Sequence, residues 1–362
     1  MKPLRSLAVS LFLFLAWHSI AAGQSWQPLN NQPSFGASTS LLLTNGTVLV
    51  QGNNGDYWGL TPDNTGSYVN GTWTQLASLP PGYNPDAYAS AVLRDGRVIL
   101  EGGEYNNGQN DWTNQGAIYN PKTNKWKSVA PPSGWNIIGD AESVVLSDGT
   151  FMVANCCSFP YLAALLDATN LTWTPTGLNK QDSYDEEGWL LLPDGTVLTV
   201  DCENGADPKH AEKYIPSLGE WVSAGDTGVL LSDPPTAEIG PMVLRPDGTV
   251  FATGANSTGG AGHTSVYYPP KDPMSPGKWV PGPDIPDGND LADAPAALLP
   301  DGNVLLDTSP GYGNPPSTFF EYNGTGYVKV PAPPNAAHES SEGGSMLELP
   351  TGQIFFTDGS SD

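Results

Sequence analysis

Apolar residues in this chain come in short unbroken runs, not in helical stripes. A run, a tight turn and a second run recur seven times. The turns fall at Asn45-Gly46, Asp95-Gly96, Asp148-Gly149, Asp194-Gly195, Asp247-Gly248, Asp301-Gly302 and Thr351-Gly352. Asn-Gly and Asp-Gly accept the positive φ that hairpins between twisted strands require, so each phrase reads as a two-residue turn joining antiparallel strands. The runs after the turns, such as Val48-Leu49-Val50, Val98-Ile99-Leu100 and Val304-Leu305-Leu306, lack polar alternation. That predicts strands buried on both faces, as in sheets stacked about an axis.

Two further strands are predicted in each unit. The third often carries tyrosine and then proline, as in Ile118-Tyr119-Asn120-Pro121, Tyr214-Ile215-Pro216 and Tyr267-Tyr268-Pro269. The fourth carries an aromatic: Trp73, Trp126, Trp173, Trp221, Trp279 and Tyr327. At this period the aromatics predict packing between neighbouring sheets. A unit of roughly 50 residues with four strands is a propeller blade. The fold expected is therefore all-β, a β-propeller of seven blades in one domain over residues 24–362.

The strand count is uneven. Ser25-Trp26-Gln27-Pro28-Leu29 reads like the fourth strand Thr72-Trp73-Thr74-Gln75-Leu76. It is expected to close the ring by pairing in the last blade. No third strand follows Phe355-Phe356 before Asp362, so the seventh blade reads as incomplete and the sequence as truncated there.

Residues 1–23 read as an export signal: Lys2 and Arg5, an apolar core from Leu7 to Ala16, then Ala21-Ala22-Gly23. No later run approaches transmembrane length. The mature chain is expected to be secreted or periplasmic. With 38 Asp and Glu against 14 Lys and Arg, the net charge is -24. Nucleic acid, whose phosphates need cations, is excluded as a partner. A neutral or cationic partner, or a bound metal ion, remains compatible.

The units resemble kelch repeats over nearly all of the mature chain. The second is the best match, with Val98 to Gly103 ending in a double glycine and Trp126 closing the unit. The Leu-Pro-Asp-Gly style of hairpin resembles the propeller of the galactose oxidase and glyoxal oxidase group. That resemblance implies a copper-radical centre made of a Tyr-His pair, a loop histidine and a Tyr cross-linked to Cys. Aligned on the fifth hairpin, the pair falls on Ala237 and Glu238 and the loop histidine on His263. No cysteine stands where the cross-link would form, so copper is not expected.

Long loops on one face of the predicted propeller are the place for function. The segments leading into the inner strands are acidic, and their carboxylates should converge near the axis. The candidate ligand-binding residues are Asp140, Glu142, Asp185, Glu186, Glu187, Glu238, Asp293 and Glu339, with His263, His338 and Trp189. Converging carboxylates raise one another's pKa or recruit a hard cation such as calcium. Loop aromatics Tyr57, Trp58, Tyr105, Trp112, Trp135 and Trp189 could stack on sugar rings. Cys156, Cys157 and Cys202 are disulfide candidates, either as a bridge from Cys202 to the adjacent pair or within that pair. The function expected is binding of a glycan, a cell-surface polymer or an extracellular protein. The alternatives are a carbohydrate-active enzyme of oxidase, mutarotase or lyase type on the same face, and a structural or adhesive exported protein.

Overall fold

The computed structural model describes residues 25–157 and 159–358. The export-signal segment lies outside the described residues. What is described is all-β, with only two short 3-10 turns, at Asn53–Gly55 and Pro286–Gly288. No helix among the described residues is long and apolar enough to cross a membrane.

Six four-stranded antiparallel sheets follow one another along the chain, each a simple meander. The fourth, for example, runs Leu190–Leu191, Val197–Val200, His210–Ile215 and Glu220–Asp226. A two-stranded sheet, Ser345–Glu348 with Ile354–Thr357, comes last. The first strand of each sheet lies beside the first strand of the next, and Ser345–Glu348 lies beside Ser40–Leu42. There Ser40 Oγ and Ser345 Oγ are 3.3 Å apart, and Thr357 Oγ1 donates to the Ser38 carbonyl at 3.0 Å.

The seven turns are alike, but they are not two-residue turns. In the first, Gly46 N–H donates to Leu43 O and Leu43 N–H to Thr47 O, which encloses Thr44-Asn45-Gly46. Only the glycine has positive φ, between 76° and 90° in all seven. This is a type I turn followed by a left-handed residue. The Asn or Asp before the glycine accepts the amide two residues on, at 2.8–3.0 Å in six turns. That side-chain bond favours the three-residue loop over the expected one.

The second strands of the six four-stranded sheets are buried throughout, as their unbroken apolar runs predict, while Ile354–Thr357 in the last sheet is buried at alternate residues. The fourth-strand tryptophans stitch sheet to sheet. Trp126 Nε1 donates to Ala77 O at 2.8 Å, Trp173 to Ala130 O at 2.8 Å and Trp279 to Ala224 O at 3.1 Å. Each ring also leans on a third-strand aromatic where one is present: Tyr119–Trp126, Tyr214–Trp221 and Tyr267–Trp279 have centroids 5.0, 5.5 and 4.8 Å apart.

The N-terminal segment departs from expectation. Ser25-Trp26-Gln27-Pro28-Leu29 forms no strand and pairs with none. Yet Trp26 Nε1 donates to Pro331 O at 2.7 Å, and its ring meets Phe319 and Phe356 at 5.2 and 5.4 Å. The indole thus makes the sheet-to-sheet contact of a fourth strand without the ladder. A cavity of about 440 Å³ is lined by both this segment and Gln353–Asp358.

Candidate functional site: an acid-lined pit

The segments leading into the first strands converge, as their acidity suggested, on an open pit of about 1030 Å³. Six of the seven contribute acidic residues: Asp86, the pair Asp140 and Glu142, the pair Glu186 and Glu187, then Glu238, Asp293 and Glu342. In the first sheet Ser38 and Thr39 take this place. The repeat itself therefore delivers about one acid per sheet to a common centre. A small extra sheet, Pro85–Asp86 with Tyr105–Asn106 and Gln109–Asn110, folds the long second-sheet loop over one side. It brings Glu104 and Tyr105 to the wall.

Glu186, Glu238 and Asp293 come closest, with a carboxylate oxygen from each within 4.8 Å of the others. Glu186 and Ala237, which precedes Glu238, have positive φ, as does Asp293 (61°, 66° and 49°). Three non-glycine residues at or beside the triad in this uncommon conformation mark backbone held in place by its surroundings. The electrostatics follow from crowding like charges in a half-buried space. Burial first, then the neighbouring Asp293 and Asp140 carboxylates, push Glu186 up to about 8. Burial and the bond with Asp293 push Glu238 up to about 10. Asp140 is pushed up to about 7, mainly by burial and then by Asp185. At neutral pH the pit thus holds a mixture of protonated and ionised carboxyls. Glu238 Oε2, Glu142 Oε2 and Asp140 Oδ1 are buried atoms with no hydrogen-bond partner.

Of the residues expected to act, Asp140, Glu142, Glu186, Glu187, Glu238 and Asp293 line the pit. The others lie elsewhere. Asp185 sits behind the wall, 3.5 Å from Cys157 Sγ. His263 is half exposed and pairs with Asp284 at 2.8 Å, apart from the lining. His338 is exposed on a turn, and Glu339 is half-buried with its carbonyl taking the Ser317 amide. Trp189 packs between Tyr184 and Trp221, at 5.6 and 5.4 Å.

Among the loop aromatics, Tyr57 and Trp135 are buried and Trp58 stacks on Phe35 at 4.7 Å, so packing claims them. Trp112 is exposed, away from the lining. Tyr105 is the one that opens into the pit, 39% exposed, and it is joined by Tyr312, 42% exposed. Tyr312 was not anticipated. Its signal was faint, a lone tyrosine between two glycines.

The disulfide lies within the adjacent pair, Cys156–Cys157, and not on Cys202. Cys202 is buried, with its thiol turned toward the Glu186 carbonyl at 3.3 Å and pushed up by burial. A further cluster, unseen in the sequence, backs the pit. Lys180 Nζ lies 2.6 Å from Glu187, 2.7 Å from Glu212 and 3.4 Å from Asp201, all buried.

No family model matches the chain, and no curated protein matches it. Solved structures do. A fungal alcohol oxidase of the AA5 family, in complex with copper, superposes with a TM-score of 0.66 at 15% identity, over 91% of this chain and 71% of that one. YjhT superposes with a TM-score of 0.54 at 14% identity, over 84% of this chain and 99% of that one. An extracellular domain of the hybrid two-component type, BT4673 from B. thetaiotaomicron, gives 0.58 at 11% identity over 92% of this chain and 38% of that one. At such identities the likeness is one of fold, and the repeated four-stranded antiparallel sheets of this chain are those of a β-propeller.

Proposed function

We propose that this protein is an exported seven-bladed propeller, closed into a ring where Ser345–Glu348 meets Ser40–Leu42. In this reading it binds a neutral, polyhydroxylated ligand, a glycan or cell-surface polymer, in the acid-lined pit. The observation that carries the reading is the pit's donor and acceptor set. Ionised carboxylates only accept hydrogen bonds, whereas protonated ones also donate. Sugar hydroxyls do both, so a wall of mixed protonation can satisfy them from either side. Tyr105 and Tyr312 add exposed ring faces at the mouth, and the volume suits a short saccharide. The vicinal disulfide accords with an oxidising compartment.

The fungal oxidase holds copper, but the pit residues here do not suit that metal. No histidine lines the pit among the described residues, and its side-chain oxygens come from carboxylates, phenols, hydroxyls and amides. Such hard donors suit calcium, which Glu186, Glu238 and Asp293 would hold.

Glycan-array binding followed by calorimetry tests the proposal. Glu186→Gln with Glu238→Gln, and separately Tyr105→Ala, should each weaken binding at least tenfold. Absence of binding to any saccharide overturns it. A second reading, carbohydrate-active catalysis, draws on the proton-sharing Glu186 and Glu238, the kind of pair that serves as acid and base. Release of new reducing ends or conversion of a sugar panel would favour it over binding alone.

A further inference from the structure

A row of polar side chains in the fourth sheet runs outward from the Lys180 cluster, away from the pit lining. Ser223 Oγ lies 2.9 Å from His210 Nε2, and His210 Nδ1 lies 2.7 Å from Asp201 Oδ2. We propose that Ser223, His210 and Asp201 form a nucleophilic triad that hydrolyses carboxylic esters, at a site separate from the pit.

The sheet assembles the row. Asp201 follows the second strand, His210 opens the third and Ser223 stands on the fourth. Adjacent strands lie about 4.8 Å apart, so side chains at one level can hand hydrogen bonds across them. Burial is graded in the direction such chemistry needs. Asp201 is fully buried, His210 is 8% exposed and Ser223 faces solvent.

Asp201 is held as an acceptor. Burial alone would push its carboxyl up, but the His210 bond and the Lys180 ammonium bring it below the usual range. Asn204 Nδ2 donates to the same oxygen as His210, at 3.1 Å. An ionised Asp201 accepts a hydrogen bond from the His210 Nδ1–H, which leaves Nε2 free to accept the Ser223 hydroxyl proton.

The local backbone supplies a second feature. The ladder between the third and fourth strands shifts register between Ala211 and Glu212, and Ala224 is left out of it. A bulge of this kind re-aims neighbouring side chains and frees an amide. Gly225 N–H donates to Ser223 Oγ at 3.2 Å. The Gly225 amide thus holds the Ser223 hydroxyl in place at the bulge. None of the cavities described above encloses Ser223. The substrate class is therefore an ester carried on a large or extended molecule lying along the outer strand.

In the reaction, Ser223 Oγ bonds to the ester carbonyl carbon and its proton passes to His210 Nε2. The carbon–alkoxide bond breaks, and the alcohol leaves with that proton. Water then attacks the acyl-serine, gives its proton to Nε2 and releases the acid, and the proton returns to Oγ.

Purified full-length protein is treated with a fluorophosphonate probe and with p-nitrophenyl acetate. The probe should map to Ser223. Ser223→Ala, on an exposed position that leaves folding intact, should abolish both labelling and turnover. His210→Gln should slow labelling by about 100-fold or more, the size of a general-base contribution. The groups facing His210 are Asp201, Glu212 and Asp207, which raise its pKa, chiefly through the Asp201 bond. Labelling of the unmodified protein should therefore rise with pH, with a midpoint above that of an ordinary histidine. This readout stands even if His210→Gln misfolds. No labelling, labelling elsewhere, or a rate indifferent to both pH and His210→Gln overturns the proposal.

Discussion

Glu187 stands where the pit wall meets a buried charge cluster: the residue lines the pit, and its side chain turns inward to put Oε1 2.6 Å from the buried ammonium of Lys180. Lys180 is set against three carboxyls there, since Glu212 and Asp201 also reach it. Burial opposes its charge, but the three partners outweigh burial and hold its pKa well above normal. Lys180→Met would leave those carboxyls without a counter-charge. Unfolding in urea at pH 8 should show a loss of about 3–5 kcal/mol, the cost of breaking a buried pair. The deficit should shrink as pH falls and the orphaned carboxyls take up protons.

The pit makes stability fall as pH rises. Glu186 and Glu238 have folded-state pKa values of about 8 and about 10, above the unfolded value near 4.5. Between those limits the folded state holds protons that the unfolded chain has lost, so each pH step favours unfolding. Their contribution is fully present below pH 4.5 and is lost through pH 8 to 10. Glu238→Gln should raise the melting temperature at pH 9 by about 1–2 °C, a change of about 1 kcal/mol in a chain of this size. At pH 5 it should do little. Equal shifts at both pH values would contradict the assignment.

Calcium, if it enters the triad, must displace those protons. Titration at pH 7 in buffers of different ionisation enthalpy should show proton release, and less of it at pH 9, where Glu186 is already ionised. Glu186→Gln with Glu238→Gln should remove both calcium binding and the proton signal. Binding without proton release would place the ion elsewhere.

Trp26 holds the last sheet from outside. Removing its ring from Phe319 and Phe356, with its bond to Pro331, should cost about 2–4 kcal/mol. Hydrogen exchange of Trp26→Ala should accelerate at Ile354–Thr357 and stay unchanged in the third sheet.

The fold was legible because its signals are local. A glycine after Asp or Asn forces the turn, and the unbroken run behind it names the buried strand. The pit was legible for the same reason: acids such as Glu142, Glu186 and Glu238 sit at one place in each repeat, and the fold turns one place in the repeat into one place in space. Lys180, Asp201 and Glu212 escaped notice because they come from a loop, the end of the second strand and the third strand of the fourth sheet, at spacings that form no motif. Trp189 was misplaced because a tryptophan before a strand reads alike whether it faces a ligand or the core. The closing ladder failed on backbone geometry, although Trp26 found its expected neighbour.

The tryptophan stitches have a kinetic side. Trp73, Trp126, Trp173, Trp221 and Trp279 bond to partners 37 to 55 residues back, so each can set as soon as its own sheet forms. Trp26 bonds across 305 residues. Closing a longer loop costs more chain entropy, and contacts of high sequence separation form late. The chain would thus build its sheets in order as it leaves the ribosome, with the Trp26 joint made last. The Trp26–Phe356 neighbourhood is then the place where refolding should lag, and where a chaperone would find the chain still open.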